Sequence, residues 1–99
     1  MAVSPRKSGR SLLTQAEWVE VSGALKLSDR ETEIVQCVFD DMKERAIATH
    51  LGISAHTVHT HLERLYRKLT VSSRCGLVLT VVGEYHRLSG IRQPEPARV

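Results

Sequence analysis

In the stretch LSDRETEIVQCVFDD, Ile34, Val35, Val38 and Phe39 fall at i, i+1, i+4 and i+5, a single apolar stripe on an amphipathic helix. Ser28 and Glu31 precede it with capping-box spacing. Asp29, Glu31 and Glu33 occupy the first turns, where the positive end of the helix dipole favours acids, so they read as stabilising surface charges and not as paired catalytic carboxylates. Thr14 and Glu17 repeat the capping signature ahead of Trp18, Val19 and Val21, which predicts a short helix near 14–22 before Gly23 interrupts. Trp18 reads as a packing residue that ties this segment to the core.

The segment ERAIATHLGISAHTVHTHLERL carries Ile47, Ala48, Leu51, Gly52, Ile53 and Val58 in the register of a helix-turn-helix, two short helices meeting at a tight turn. Ala48 leaves room for the second helix to cross closely, and Gly52 can take the positive φ that the turn demands. Ser54 stands where the second helix needs its N-cap. At 100° per residue, with Val58 set at 0°, Leu62, Leu65 and Leu69 fall at about 40°, 340° and 20°. His56, His59, Thr60, Glu63, Arg64 and Arg67 span roughly 100–240°, so the opposite face is polar, basic and rich in hydrogen-bonding groups.

Ser72 or Ser73 caps a last helix running to Tyr85, with Leu77, Val78, Leu79, Val81 and Val82 spread around much of its circumference. A small domain cannot cover every side of such a helix, so Leu77, Val78, Val81, Val82 and Tyr85 are expected to pair two subunits. Residues 1–10 read as a disordered basic arm, 11–26 as the short N-terminal helix and linker, 27–86 as the main domain and 87–99 as a flexible tail.

The chain has 99 residues, 41% hydrophobic and 25% charged, enough for one small domain with a modest core. Its formal net charge of +3 is mild, but the distribution is uneven. From Ser28 to Glu44 two basic residues face six acidic ones, whereas from Ser54 to Arg74 four basic residues face Glu63 alone. Positive charge therefore gathers on the second helix of the motif, as binding to a polyanion requires. Cys37 and Cys75 are far apart and form no CxxC, which fits free thiols in a reducing cytoplasm. No apolar run reaches membrane-spanning length and no signal peptide is evident, so a cytoplasmic protein with no membrane partner is expected. His56 and His59 share a face that His61 leaves, which argues against a metal site; no cofactor is expected. The absence of a catalytic triad order or a phosphate-binding glycine loop argues against an enzyme.

The succession LSDRETEIV, then IATHLGISAHTVHTHLERLYRKL, then a Ser-Arg pair opening a last helix resembles the LuxR-type (GerE-like) DNA-binding domain of bacterial transcription factors, over Leu27 to Val82. The resemblance implies an all-α fold of four helices, here with an extra short N-terminal helix. It implies that the helix 55–69 lies in the major groove of double-stranded DNA and that the last helix makes a homodimer. His59, Thr60 and Glu63 match positions that touch base edges, and Arg45, His56, Thr57, Arg64, Arg67, Lys68 and Arg74 are expected against the DNA backbone. Three departures stand out: Asp41 replaces a glycine ending the first helix, Ala46 replaces a glutamate, and His59 replaces a lysine while Glu63 adds a carboxylate to the same surface. Too few residues precede Leu27 for a receiver or ligand-sensing domain, so a stand-alone regulator is expected, its further partner being RNA polymerase or a regulatory protein. Two other readings stay open: a promoter-recognition module like region four of a sigma factor, and a protein-interaction adaptor on the same scaffold that does not bind DNA.

Overall fold

A computed structural model describes residues 8–90. A 3-10 turn, Gly9–Leu12, leads into α1 (Gln15–Ala24), α2 (Asp29–Phe39), α3 (Glu44–Leu51), α4 (Ala55–Leu69) and α5 (Arg74–Leu88), with no strand among the described residues. The all-α expectation holds, and α1 is the extra N-terminal helix. Residues 1–7 of the expected arm and 91–99 of the expected tail lie outside the described residues. Gly9 and Arg10, expected in the arm, instead belong to the 3-10 turn, and α5 runs on past 86 to Leu88.

The helix starts follow the capping chemistry. Thr14 Oγ1 accepts from the Glu17 N–H at 3.2 Å while Glu17 Oε1 accepts from the Thr14 N–H at 2.8 Å. Ser28 and Glu31 make the same reciprocal pair at 3.1 and 2.8 Å, and Ser73 caps α5 through the Gly76 N–H at 3.2 Å. Each box satisfies two backbone donors that the first turn leaves without helical partners.

The helix ends follow a different rule. Lys26, Asp41, Gly52 and Thr70, just past α1, α2, α3 and α4, all have φ between 58 and 70°. In each case the next N–H turns back to a carbonyl five residues earlier, as from Leu27 to Ser22 at 2.8 Å and from Val71 to Tyr66 at 2.8 Å. Asp41, where the resemblance sets a glycine, takes the left-handed conformation that a glycine would supply.

α2 lies at the centre, its Ile34, Val35, Cys37 and Val38 buried against α4, α5 and the N-terminal turn. α3 contributes Ile47 and Ala48, α4 contributes Val58, Leu62 and Leu65, and α5 contributes Leu77 and Val81. α1 packs along α5 and adds Trp18 and Val21 to the same core. Trp18 meets Phe39 edge to face at 5.0 Å, and its indole N–H donates to the Arg10 carbonyl at 2.8 Å. Gly9 lies so near the end of α2 that a Cβ on it would stand 1.6 Å from the Phe39 carbonyl oxygen, so only glycine permits this approach.

Candidate nucleic-acid interface

The geometry of α3 and α4 is set locally at their junction. Gly52 (φ 70°) ends α3, and the Ile53 N–H returns to the Ala48 carbonyl at 3.0 Å. Two residues on, Ser54 opens α4 by accepting the Thr57 N–H at 3.0 Å, with the two hydroxyls 2.8 Å apart. Ile47 and Ala48 of α3 share one buried core with Val58, Leu62 and Leu65 of α4, and the small Ala48 side chain suits the close packing of the two helices. The two helices are thus locked by one buried seam, which leaves the far side of α4 facing outward.

That outward side carries His56, His59, Glu63, Arg64 and Arg67, all exposed, with Thr60 half-buried among them. Arg45 is exposed on α3, and Arg45, Arg64 and Arg67 make no ion pair among the described residues. His59 lies between two carboxylates. Its Nδ1 is 3.2 Å from Glu44 Oε2 on α3, and its Nε2 is 4.0 Å from Glu63 Oε2 one turn along α4. The Glu44 hydrogen bond holds the imidazole above the usual histidine range, helped by the charges of Glu44 and Glu63.

Two residues expected against the DNA backbone are committed within the chain. The Lys68 ammonium pairs with Glu31 Oε1 at 3.0 Å and donates to the Lys26 carbonyl, which fastens α4 to the start of α2. Burial pushes the Glu31 carboxyl up, but the Ser28 N–H and Lys68 more than offset this and leave it below the ordinary range. The Arg74 guanidinium donates to the Met42 carbonyl and fastens the start of α5 to the turn between α2 and α3. Thr57 contributes its N–H to the Ser54 cap, and its half-buried hydroxyl joins Ser54.

The expected subunit contact also divides. Leu77 and Val81 are 0% exposed in the core of this one chain, so they are not available to a second copy. Tyr85 turns toward α1, where the charge of Glu17 raises its hydroxyl, with burial and the hydrogen bond that the hydroxyl donates to the Glu17 carboxylate adding to the effect. Val78 and Val82 remain half-buried. The open side of α5 is completed by residues that the expectation omitted: Leu79, 65% exposed, with Cys75 and Gly83. Their spacing from Val82 by three, seven and one positions sets them on one helical face, a signal present in the sequence once the inward face is known.

Sequence reasoning also missed Glu44. In the sequence it counts among the acids of the preceding segment, and only the folded crossing of α3 and α4 brings it to His59, fifteen positions away. No group of three or more side chains suited to holding a metal occurs among the described residues. None of their helices is long and apolar enough to cross a membrane.

Fold and exposed face together define a helix-turn-helix domain. The chain belongs to the GerE family, the bacterial regulatory proteins of the luxR family, which matches residues 25–81. It is similar to the bialaphos biosynthetic pathway regulatory protein of Streptomyces hygroscopicus, 39% identical over 61 residues, which make up 62% of this chain and 24% of that protein. It is similar also to the HTH-type transcriptional regulator MalT of Yersinia pestis (strain Pestoides F), 32% identical over 63 residues, 64% of this chain and 7% of that one. The chain therefore spans a minor part of the length of these curated relatives. No solved structure matches it. The α1 helix precedes the matched stretch while sharing its core.

Proposed function

We propose that this chain is a cytoplasmic regulator of transcription that binds double-stranded DNA as a homodimer and reads the major groove with α4. The observation that carries the reading is the division of α4 into a buried side of Val58, Leu62 and Leu65 and an outward side of His59, Thr60, Glu63, Arg64 and Arg67. His59, Thr60 and Glu63 discriminate bases. Arg45, His56, Thr57, Arg64 and Arg67 meet phosphates, aided by the amide-rich start of α4, which favours anions. Lys68 and Arg74 act at one remove, by holding α4 and α5 in place. The names of the similar proteins, a regulatory protein and a transcriptional regulator, agree with this role. The second copy meets α5 across Cys75, Val78, Leu79, Val82 and Gly83.

Selection of bound fragments from random duplex DNA tests the reading, with symmetric half-sites as the expected product. Arg64→Ala should weaken every sequence alike and flatten the dependence of affinity on salt, whereas Glu63→Ala should change which sites are preferred. Failure to enrich any sequence, with the chain monomeric at all concentrations, would favour an adaptor that does not bind DNA.

A further inference from the structure

His59 and Glu44 lie on different helices, yet the same buried seam that fixes α3 against α4 also fixes their separation. We propose that Glu44 is the positioning residue for base reading by His59: its carboxylate accepts from Nδ1 and so leaves Nε2 as the ring atom that meets a base edge. The proposal rests on the reading of α4 given above and goes beyond it by naming a residue outside the reading helix.

The chemistry of the pair limits the ring to few states. An ionised carboxylate accepts hydrogen bonds and donates none, so at 3.2 Å from Glu44 Oε2 the Nδ1 atom carries a hydrogen whether the ring is charged or neutral. The free choice is then confined to Nε2. Protonated, Nε2 donates, which suits guanine N7 or O6; neutral, it accepts, which suits the amino group of adenine or cytosine. A free neutral imidazole has both tautomers open to it and presents no single pattern. Glu44 removes that ambiguity and halts rotation of the ring.

The surroundings of the ring support this role. Glu63 Oε2, at 4.0 Å from Nε2, is too far for a hydrogen bond and leaves that atom open while favouring the charged ring. Glu44 from α3 and Glu63 from α4 are the charged groups that face it; α2 and α5 pack on the opposite side of α4 and bring none within ion-pair distance among the described residues. His59 is 55% and Glu44 44% exposed in their side chains, so the pair is open to a groove. An exposed pair of this kind adds little to stability, and a purely structural role would leave base preference untouched.

Two measurements on the full chain test the proposal. In the first, random duplex DNA is selected with the wild-type chain, His59→Gln, Glu44→Ala and Glu44→Gln. His59→Gln should cut the preference at one base pair of each half-site by about fivefold to tenfold, the scale of one good base contact. Glu44→Ala should lose the preference at that same base pair. Glu44→Gln, whose amide oxygen still accepts from Nδ1, should keep most of it. In the second, nitrogen NMR of the free chain, at a pH high enough to leave the ring neutral, should find hydrogen on His59 Nδ1 in the wild type and in Glu44→Gln, but a mixture of tautomers in Glu44→Ala.

If His59→Gln changes the preference and a folded Glu44→Ala does not, Glu44 has no positioning role and the reading by α4 stands. If His59→Gln changes no base pair, base reading by His59 falls and the proposal with it. A neutral wild-type ring without hydrogen on Nδ1 overturns the proposal independently of any DNA. Should Glu44→Ala fail to fold, the wild-type tautomer still decides.

Discussion

Arg10 and Asp40, thirty residues apart in the chain, join at two points: the Arg10 N–H donates to Asp40 Oδ1 at 2.8 Å and its Nε to Oδ2 at 2.6 Å. Asp40 is the residue at which α2 ends, so the N-terminal turn grips the entry to the turn before α3. The guanidinium reaches on to Cys37 Sγ at 3.7 Å. Arg10 keeps 32% side-chain exposure, which weakens the charge component through solvent screening. Asp40→Ala should therefore cost about 1–2 kcal/mol, since it removes two hydrogen bonds to a carboxylate and leaves the Arg10 N–H without that partner. Urea denaturation followed by circular dichroism measures this, and a loss within error of zero would deny the turn any part in stability.

The two cysteines should differ sharply in reactivity. Cys37 is buried in α2, and its burial pushes the thiol up despite the opposing charge of Arg10. Cys75 is exposed at the start of α5. At concentrations where the chain is monomeric, a thiol reagent should titrate Cys75 in the folded state and reach Cys37 only as the chain unfolds. Equal labelling rates in native buffer would place Cys37 outside the core.

Helix beginnings were legible in the sequence and most helix ends were not, for a physical reason. A side-chain cap needs an oxygen, so Thr14, Ser28, Ser54 and Ser73 announce themselves by residue type, whereas α3 starts after Lys43 with no side-chain cap and no such sign. A left-handed end asks only for a backbone conformation, which Gly52 and, past α5, Gly90 supply by type; Lys26, Asp41 and Thr70 adopt it under the demand of the packed helices. The inward side of α4 was similarly plain, because Val58, Leu62 and Leu65 leave one face apolar and the other polar. On α5 apolar residues surround the axis, and nothing in their spacing says which side α1 and α2 will cover. The sequence pattern thus offers Leu77 and Val81 to a second subunit as readily as Val78 and Val82, although this chain buries them in its own core. The His59 and Glu44 pair depends on a crossing of two helices and has no local signature.

The same backbone argument predicts opposite outcomes at two helix ends. Thr70 is exposed at φ 58°, and a β-branched residue there is strained without compensating burial. Thr70→Gly should raise stability by about 0.5–1 kcal/mol, the relief of strain being reduced by the greater freedom of glycine in the unfolded chain. At Gly52 a Cβ would meet nothing within 4 Å, so Gly52→Ala carries the backbone cost alone, about 1–2 kcal/mol of destabilisation. Thermal melts of both variants check the pair of signs.

On α5 inward and outward positions should separate folding from association. Leu77→Ala opens a cavity in a fully buried site and should cost about 2–5 kcal/mol. Leu79→Asp changes a side chain that is 65% exposed and should leave the melting temperature of the isolated chain nearly unchanged. If α5 joins two copies, Leu79→Asp should abolish the dimer in sedimentation at concentrations where the wild type associates. A Leu79→Asp chain that still dimerises would move the interface elsewhere.

The acidic pair around His59 also fixes the direction in which pH acts. Its imidazole titrates above the usual range, first because Glu44 accepts its hydrogen bond and then through the charges of Glu44 and Glu63. With the folded value raised, the favourable contribution to folding is complete below the unfolded value of about 6.5 and fades as pH climbs through the folded one. DNA binding should follow the same sense. Protonation reduces the net charge of the three side chains from two negatives to one, on the face proposed to meet phosphates. Affinity for a selected duplex, measured by fluorescence anisotropy at constant salt, should therefore be tighter at pH 6 than at pH 8. His59→Gln should remove most of that difference, because an amide in place of the imidazole gains no charge as the pH falls. An affinity that does not change with pH in the wild type would mean that the charge of His59 is not felt by the bound DNA.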